Sequence, residues 1–306
     1  MREKTVYMFP GQGAQSVGMR AKLGDMTGEQ RGLFATADRI LGFPLTSLID
    51  QGPEEELTRT SNTQPALLAM EIAFSRALHS LGYRADIVMG HSLGEYAALV
   101  DAGVIDFEEA LRLVRHRGEL MEKAVVTTPG KMAAVIGAER ARLEDILQMC
   151  SGDGIIEITN FNSPVQVVLS GEVAPIDKAI ALIHQERVGK ALELRVSTPF
   201  HSSLMKPVAD AFQRYLADID FKKPQVEFID NVTGLHEKDP ERIKEKLVLQ
   251  LSHPVQWEKS VNTALQSGAT TWIECGPGTI LVGLVKRIDP EKTLLSGEKL
   301  IHGATK

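Results

Sequence analysis

A serine set between two glycines is the first place where this chain could do chemistry. Gly90, Ser92 and Gly94 form Gly-x-Ser-x-Gly within Val88-Met89-Gly90-His91-Ser92-Leu93-Gly94-Glu95. The apolar run Ile87 to Met89 predicts the end of a buried strand, and Ala97 onward predicts a helix. A strand-to-helix turn of this pattern is a nucleophile elbow, which pushes one side chain out of the sheet. The glycines let the backbone pack closely and take up strained dihedrals. The Ser92 hydroxyl then stands at a helix N-terminus, where free N–H groups can stabilise an oxyanion. The plain alternative is a serine N-cap between incidental glycines. The catalytic reading demands a base, an oxyanion donor and a specificity pocket elsewhere in the chain.

Four residues answer that demand. His201 lies in Ser197-Thr198-Pro199-Phe200-His201-Ser202, just before a helix predicted over 205–219. A histidine there is often a cap or a surface residue, but Phe200 and Leu204 argue against full solvation. Gln12 sits in Pro10-Gly11-Gln12-Gly13, which ends an apolar strand over 5–9. Ligand sites in open α/β sheets lie at such strand ends; a plain turn is the competing reading. It is not a dinucleotide fingerprint, because the third glycine and an acidic ribose reader are missing. Arg117 falls in a helix predicted from Phe107 to about Ala124 and capped by Asp106. Leu113, Val114, Leu120, Met121 and Ala124 make its apolar stripe, and Arg112, Arg115, Glu119, Glu122 and Lys123 its solvated face. Arg117 sits on the apolar stripe, where a guanidinium needs a partner, either a carboxylate of the protein or one of a ligand. Gln64 precedes Pro65 at the start of an apolar helix, with Asn62 or Thr63 as cap and Pro65 in the first turn. It is either a capping group or a pocket-lining amide.

The elements that must position these residues divide in two. After the linker Thr127-Thr128-Pro129-Gly130 the pattern changes. Strands over 132–137, 155–159, 165–170 and 191–196 and helices over 140–149 and 174–185 follow in the order β-α-β-β-α-β. That order is ferredoxin-like. It predicts a small inserted unit with Asn160 to Pro164 as its polar tip. The chain then returns to the larger unit with a strand over 226–230, helices over 240–251 and 257–266, and a strand over 271–274. Gly276-Pro277-Gly278 and a helix through Arg287 come next, and the tail has little pattern.

Bulk properties narrow the classes of function. The chain has 306 residues, 43% of them apolar and 24% charged, as a globular protein of one large or two coupled domains would. Its net charge of −6 argues against a nucleic-acid or anionic-membrane partner. Cys150 and Cys275 are the only cysteines, and no zinc-type spacing appears, which fits a reducing compartment. No secretory leader or membrane span is apparent, so a cytoplasmic location is expected.

Taken together, these motifs resemble one family: malonyl-CoA:acyl-carrier-protein transacylases and the acyltransferase domains of polyketide synthases. The resemblance runs through Phe9-Pro10-Gly11-Gln12-Gly13, Thr63-Gln64-Pro65-Ala66, Gly90 to Glu95 and Arg117-Gly118-Glu119-Leu120-Met121. It continues through Asn160-Phe161-Asn162-Ser163-Pro164, Pro199-Phe200-His201-Ser202, Asn231-Val232-Thr233 and Glu274-Cys275-Gly276-Pro277-Gly278. It covers nearly the whole chain. It implies an α/β fold: an α/β-hydrolase-like large subdomain with a mostly parallel sheet, residues 1–126 and 197–306, and an inserted ferredoxin-like α+β small subdomain, residues 127–196.

The resemblance also implies roles. Ser92 would attack the thioester of malonyl-CoA, and His201 would take the hydroxyl proton and later activate the thiol of acyl carrier protein. The backbone carbonyl of Gln250 would orient that histidine, and the N–H groups of Gln12 and Leu93 would form the oxyanion hole. Arg117 would pair with the malonyl carboxylate. Gln64 would line the acyl pocket, Phe200 would crowd its α-carbon, and His91 and Asn162 would stand at the entrance near CoA. Lys190, Lys286 and Arg287 are candidates for docking the acidic carrier, with ordinary solvated charges as the equal alternative. No metal and no cofactor is implied, and a monomer supplying fatty-acid synthesis is expected. Two rivals share the fold, a discrete polyketide acyltransferase and an acyl-carrier hydrolase. A third is a docking module without catalysis, against which intact Ser92, His201 and Arg117 argue.

Overall fold

The computed structural model describes residues 3–304. The chain opens with β1 (Lys4–Phe9), then α1 (Gly28–Leu41), α2 (Leu45–Gln51), α3 (Glu54–Thr58) and α4 (Thr60–Ser80). β2 (Ile87–Gly90), α5 (Gly94–Asp101) and α6 (Phe107–Thr127) follow. Next come β3 (Lys131–Ile136), α7 (Arg140–Cys150), β4 (Ile156–Ser163), β5 (Gln166–Gly171), α8 (Val173–Gln185) and β6 (Lys190–Glu193). The chain then adds α9 (Lys206–Leu216), β7 (Glu227–Ile229), α10 (Pro240–Gln250), α11 (Trp257–Gln266) and β8 (Ala269–Glu274). It closes with α12 (Ile280–Ile288), β9 (Thr293–Ser296) and α13 (Gly297–Ala304).

The strands form two sheets. The larger has the order β7-β2-β1-β8-β9 with every pairing parallel. Its central strands are apolar on both faces, as a parallel sheet covered by helices requires. Val6, Met8, Met89 and Trp272 pack towards α11 and α12, while Tyr7, Phe9, Val88 and Ile273 join the core built around α4. β1 and β2 end flush, with Phe9 opposite Gly90. The turns after them, which carry Gln12 and Ser92, are therefore neighbours.

The smaller sheet has the order β4-β5-β3-β6, all antiparallel. Its two faces are sorted by the period-two alternation of its strands. Ala133, Val135, Val167 and Leu169 pack under Leu143 and Ile146 of α7 and Ile176, Ala179 and Ile183 of α8. Met132, Ala134, Gln166 and Val168 face the other way and form one wall of a cleft.

Four expectations are corrected. Residues Asn160 to Ser163 are strand and not a polar tip; of the expected turn only Pro164 is exposed. Asn160 and Asn162 belong to β4 and are buried, because β4 docks on the larger unit: Phe161 N–H donates to Val255 O, and Val255 N–H to Thr159 O, both at 2.9 Å. Helix α4 begins at Thr60, so Pro65 lies inside it. The proline cannot donate to the carbonyl four residues back, and Arg115 Nη1 satisfies that carbonyl, Ser61 O, at 3.0 Å instead. Asp106 holds the N-cap position of α6 without a capping hydrogen bond, and its carboxylate faces Lys222 at 3.6 Å. The tail is ordered: β9 extends the parallel sheet beside β8, and α13 packs on α4 through Ile301.

Candidate active site

Ser92 occupies the turn between β2 and α5 with φ 52°, in the left-handed region. A non-glycine residue holds that conformation only where its surroundings impose it. Contact explains the flanking glycines. A Cβ on Gly90 would stand 2.0 Å from Gly94 C, and one on Gly94 would stand 2.0 Å from Phe9 O. Asn231 clamps the turn from the far side. Its Oδ1 accepts from Ser92 N–H at 2.7 Å and its Nδ2 donates to Gly90 O at 2.6 Å. The Asn231 N–H in turn donates to Glu95 Oε1 at 3.0 Å.

His201 also has a positive φ, 63°, which turns its ring into the cleft ahead of α9. Its Nε2 lies 2.8 Å from Ser92 Oγ. Its Nδ1 lies 2.7 Å from the backbone carbonyl of Gln250. A carbonyl only accepts, so Nδ1 carries the proton and Nε2 is the free acceptor facing the hydroxyl. Burial, then the positive charge of Arg117, pushes the imidazole down to about 3. It is therefore neutral around pH 7, as a base awaiting the hydroxyl proton must be.

Arg117, on α6, is 1% exposed. Among the described residues no carboxylate forms an ion pair with it. Its Nη2 donates to Gln250 Oε1 at 2.9 Å and to Ser92 Oγ at 3.2 Å, and its Nε finds no acceptor. The guanidinium lies 5.4 Å from the centroid of the Tyr96 ring. Of the two partners that the sequence left open, the protein's own carboxylate is thus not the one supplied. The Gln250 amide is held in one orientation, because its Nε2 donates to Ser92 O at 2.9 Å and to the Glu95 carboxylate. Burial and the nearby Asp230 push Glu95 up to about 8, while the Asn231 and Gln250 donors oppose that rise.

These groups open on a cleft of about 300 Å³ between the two sheets. It is lined by Gln12, His91, Ser92, Leu93, Arg117, Asn162, Phe200 and His201, with Met132, Ala134, Val168, Leu194 and Val196 as its apolar wall. Among the described residues, neither the Gln12 nor the Leu93 backbone N–H has a protein acceptor, and both residues line the cleft with Ser92. His91 Nε2 meets Asn162 Oδ1 at 2.8 Å across the two units. Gln64 is fully buried, with its Nε2 directed at 3.1 Å to the sulfur of Met121, which itself lines the cleft. The earlier start of α4 carries it inward. Arg287 reaches the rim, bonding Gln166 from α12, and Lys286 beside it is exposed. Lys190 starts β6, four residues before Leu194 and so about 13 Å along the strand from the wall. A larger groove of about 980 Å³ along β7 contains none of Ser92, His201 and Arg117.

The roles of Asn231, Glu95 and the Gln250 side chain were not legible in the sequence. Asn231 and Glu95 were marked only by membership of motifs far apart in the chain, and Gln250, outside those motifs, only by the expected role of its backbone carbonyl. Cys150 and Cys275 are buried and unbridged, and no described helix is long and apolar enough to cross a membrane.

Comparison with known proteins agrees with this arrangement. The family model for the acyl transferase domain matches residues 6–294. The malonyl CoA-acyl carrier protein transacylase of Escherichia coli (strain K12) is 44% identical over 283 residues, 92% of this chain and 92% of that protein. The crystal structure of an acyl carrier protein S-malonyltransferase from Vibrio cholerae O1 superposes with a TM-score of 0.94 at 40% identity, covering 99% of this chain and 100% of that one. A malonyl-transacylase solved in complex with a type II polyketide-synthase acyl-carrier protein gives a TM-score of 0.91 at 41% identity, with 96% and 94% covered.

Proposed function

The chain belongs to the acyl transferase domain family, and from that premise we propose how it works. It transfers malonyl groups from CoA to the phosphopantetheine thiol of acyl carrier protein. The observation that carries the choice of acyl group is Arg117: a buried guanidinium without a protein carboxylate, opening on the cleft of the nucleophile. A free carboxylate on the acyl group matches it in fork geometry.

The reaction runs in two halves through one acyl-enzyme. Ser92 Oγ attacks the thioester carbonyl of malonyl-CoA while its proton passes to His201 Nε2. The negative charge that develops on the carbonyl oxygen rests on the N–H groups of Gln12 and Leu93. As the tetrahedral intermediate collapses, the C–S bond breaks and His201 returns the proton to the CoA sulfur. In the second half the carrier thiol gives its proton to His201 and attacks the Ser92 ester, and Ser92 leaves with that proton. The Gln250 carbonyl keeps the imidazole in the required tautomer throughout.

His91 and Asn162, joined across the cleft, form the entrance on the CoA side. Phe200 lines the pocket beside His201 and restricts bulk at the α-carbon. The chemistry uses no metal or redox cofactor. We assign residues 127–196 to the inserted subdomain, and the setting to cytoplasmic fatty-acid synthesis by a monomer. The test is acid quench after mixing with malonyl-CoA, then intact-protein mass and peptide mapping. A malonyl ester on Ser92 that moves to added holo-carrier is expected.

A further inference from the structure

Two groups converge on one oxygen. Ser92 Oγ lies 2.8 Å from His201 Nε2 and accepts from Arg117 Nη2 at 3.2 Å. A serine hydroxyl has one proton and two lone pairs. The proton points to the imidazole, and one lone pair is held by a cation. A cation on one lone pair withdraws electron density from the oxygen and lowers its nucleophilicity toward the thioester carbon. The geometry opposes the next step as well. Once the proton has moved, an imidazolium and a guanidinium stand together, with His201 5% and Arg117 1% exposed. Repulsion between like charges is strong where water is excluded.

Among the described residues no carboxylate stands within ion-pair distance of Arg117; Glu95 and Tyr96 act on it only as neighbours. The Arg117 Nη2 serves two neutral oxygens, on Ser92 and Gln250, and its buried Nε serves none. The guanidinium also lines the cleft, so its donors there can meet an acceptor that arrives from outside, and an anion matches them best.

We infer that the acyl group's own carboxylate is a switch as well as a recognition handle: by drawing Arg117 off the Ser92 oxygen it restores the nucleophilicity of that oxygen and removes the charge that opposes proton transfer to His201. Loading is then gated by negative charge beside Arg117, and an acyl group lacking a carboxylate is slow even when it is bound. The depressed basicity of His201, to which Arg117 contributes, agrees with this. The inference rests on Ser92 being the residue acylated. It adds that the carboxylate need not be covalently part of the acyl group.

The experiment is single-turnover loading of acetyl-CoA, quenched in acid and read by intact mass. It is run with sodium formate titrated at constant ionic strength, and with formamide as the neutral control. Formate is expected to raise the rate of acetyl loading about tenfold, a change of 1.36 kcal/mol in the barrier, in a saturating manner, and formamide to do nothing. Arg117→Ala is expected to load acetyl faster than wild type without formate and to ignore formate. Formate that slows acetyl loading or leaves it unchanged overturns the inference, and that arm needs no variant. A folded Arg117→Ala that loads acetyl no faster than wild type overturns it too. Malonyl-CoA run in parallel separates the two levels. If malonyl loads on Ser92 and formate is inert, only the switch fails; if malonyl does not load on Ser92, the reading of the site fails with it.

Discussion

His201 Nδ1 donates to the backbone carbonyl of Gln250 at 2.7 Å, so the imidazole is oriented by the main chain and not by a carboxylate side chain. Substituting residue 250 should therefore leave the imidazole in place. Gln250→Ala removes the side-chain bonds to Arg117, Ser92 O and Glu95 while keeping the orienting carbonyl. It is expected to lower kcat/KM for malonyl loading by about tenfold, the loss of a hydrogen bond to a charged group. His201→Ala should cost roughly 10²–10⁴, the usual contribution of a general base. Rapid-quench loading on both variants checks this ranking, and equal losses contradict it.

The buried imidazole also makes a pH prediction. His201 is pushed down to about 3 in the fold, against 6.5 for an ordinary histidine. Between those values the unfolded chain holds a proton that the native chain refuses, so acid favours unfolding. The stabilising contribution is complete above about 6.5 and drains away as the pH falls toward about 3. His91, lowered mainly by burial, acts in the same direction. Glu95, pushed up to about 8, acts oppositely; the difference between wild type and His201→Gln therefore isolates the imidazole. Urea midpoints are expected to fall less in His201→Gln than in wild type between about pH 7 and about pH 5. The acid limb of kcat/KM should lie well below 6.5.

Phe200 lines the cleft beside His201, and the proposed function makes it the residue that limits room at the α-carbon. Wild type is expected to load malonyl ahead of methylmalonyl, and either ahead of acetyl. Phe200→Ser should raise the methylmalonyl-to-malonyl ratio by about tenfold, the lower end of what one methyl group is worth in an apolar pocket. Competitive loading from an equimolar mixture reads the ratio directly; an unchanged ratio removes Phe200 from the specificity wall.

Much of this site was legible before any coordinates. The elbow was readable because a strained turn between strand and helix tolerates few residues at its flanks. Arg117 was readable because helical phase placed a charge on an apolar stripe. The ferredoxin-like unit was readable from the order and lengths of its elements. What stayed hidden depends on tertiary contact. Asn231 and Glu95 reach the elbow only once the sheet is assembled, and nothing near Asn231 in sequence marks it as a clamp. Pro65 suggested a helix start, yet Arg115 from another helix makes a start at Thr60 possible. The three helices before α4 and the edge strand β9 carry short patterns that packing, not periodicity, decides.

The carrier must find this cleft although the chain carries a net charge of −6. Arg287 on α12 bonds Gln166 at the rim, Lys286 beside it is exposed, and Lys190 lies farther along the small sheet. Charge reversal at Lys286 and Arg287 together should slow transfer to holo-carrier several-fold, with transfer to free pantetheine unaffected. Added salt should slow the carrier reaction alone. Lys190→Glu is expected to have the smaller effect. Equal losses with carrier and pantetheine would place the defect in the cleft rather than in docking.

The most direct test of the whole account is a two-step chase. Enzyme is loaded with labelled malonyl-CoA, freed of excess, and mixed with holo-carrier or with buffer alone. The account predicts one malonyl group per chain, mapped to Ser92, absent in Ser92→Ala, and passed to the carrier thiol far faster than it is lost to water. A label on any other residue, or loss to water as fast as to the carrier, would contradict it.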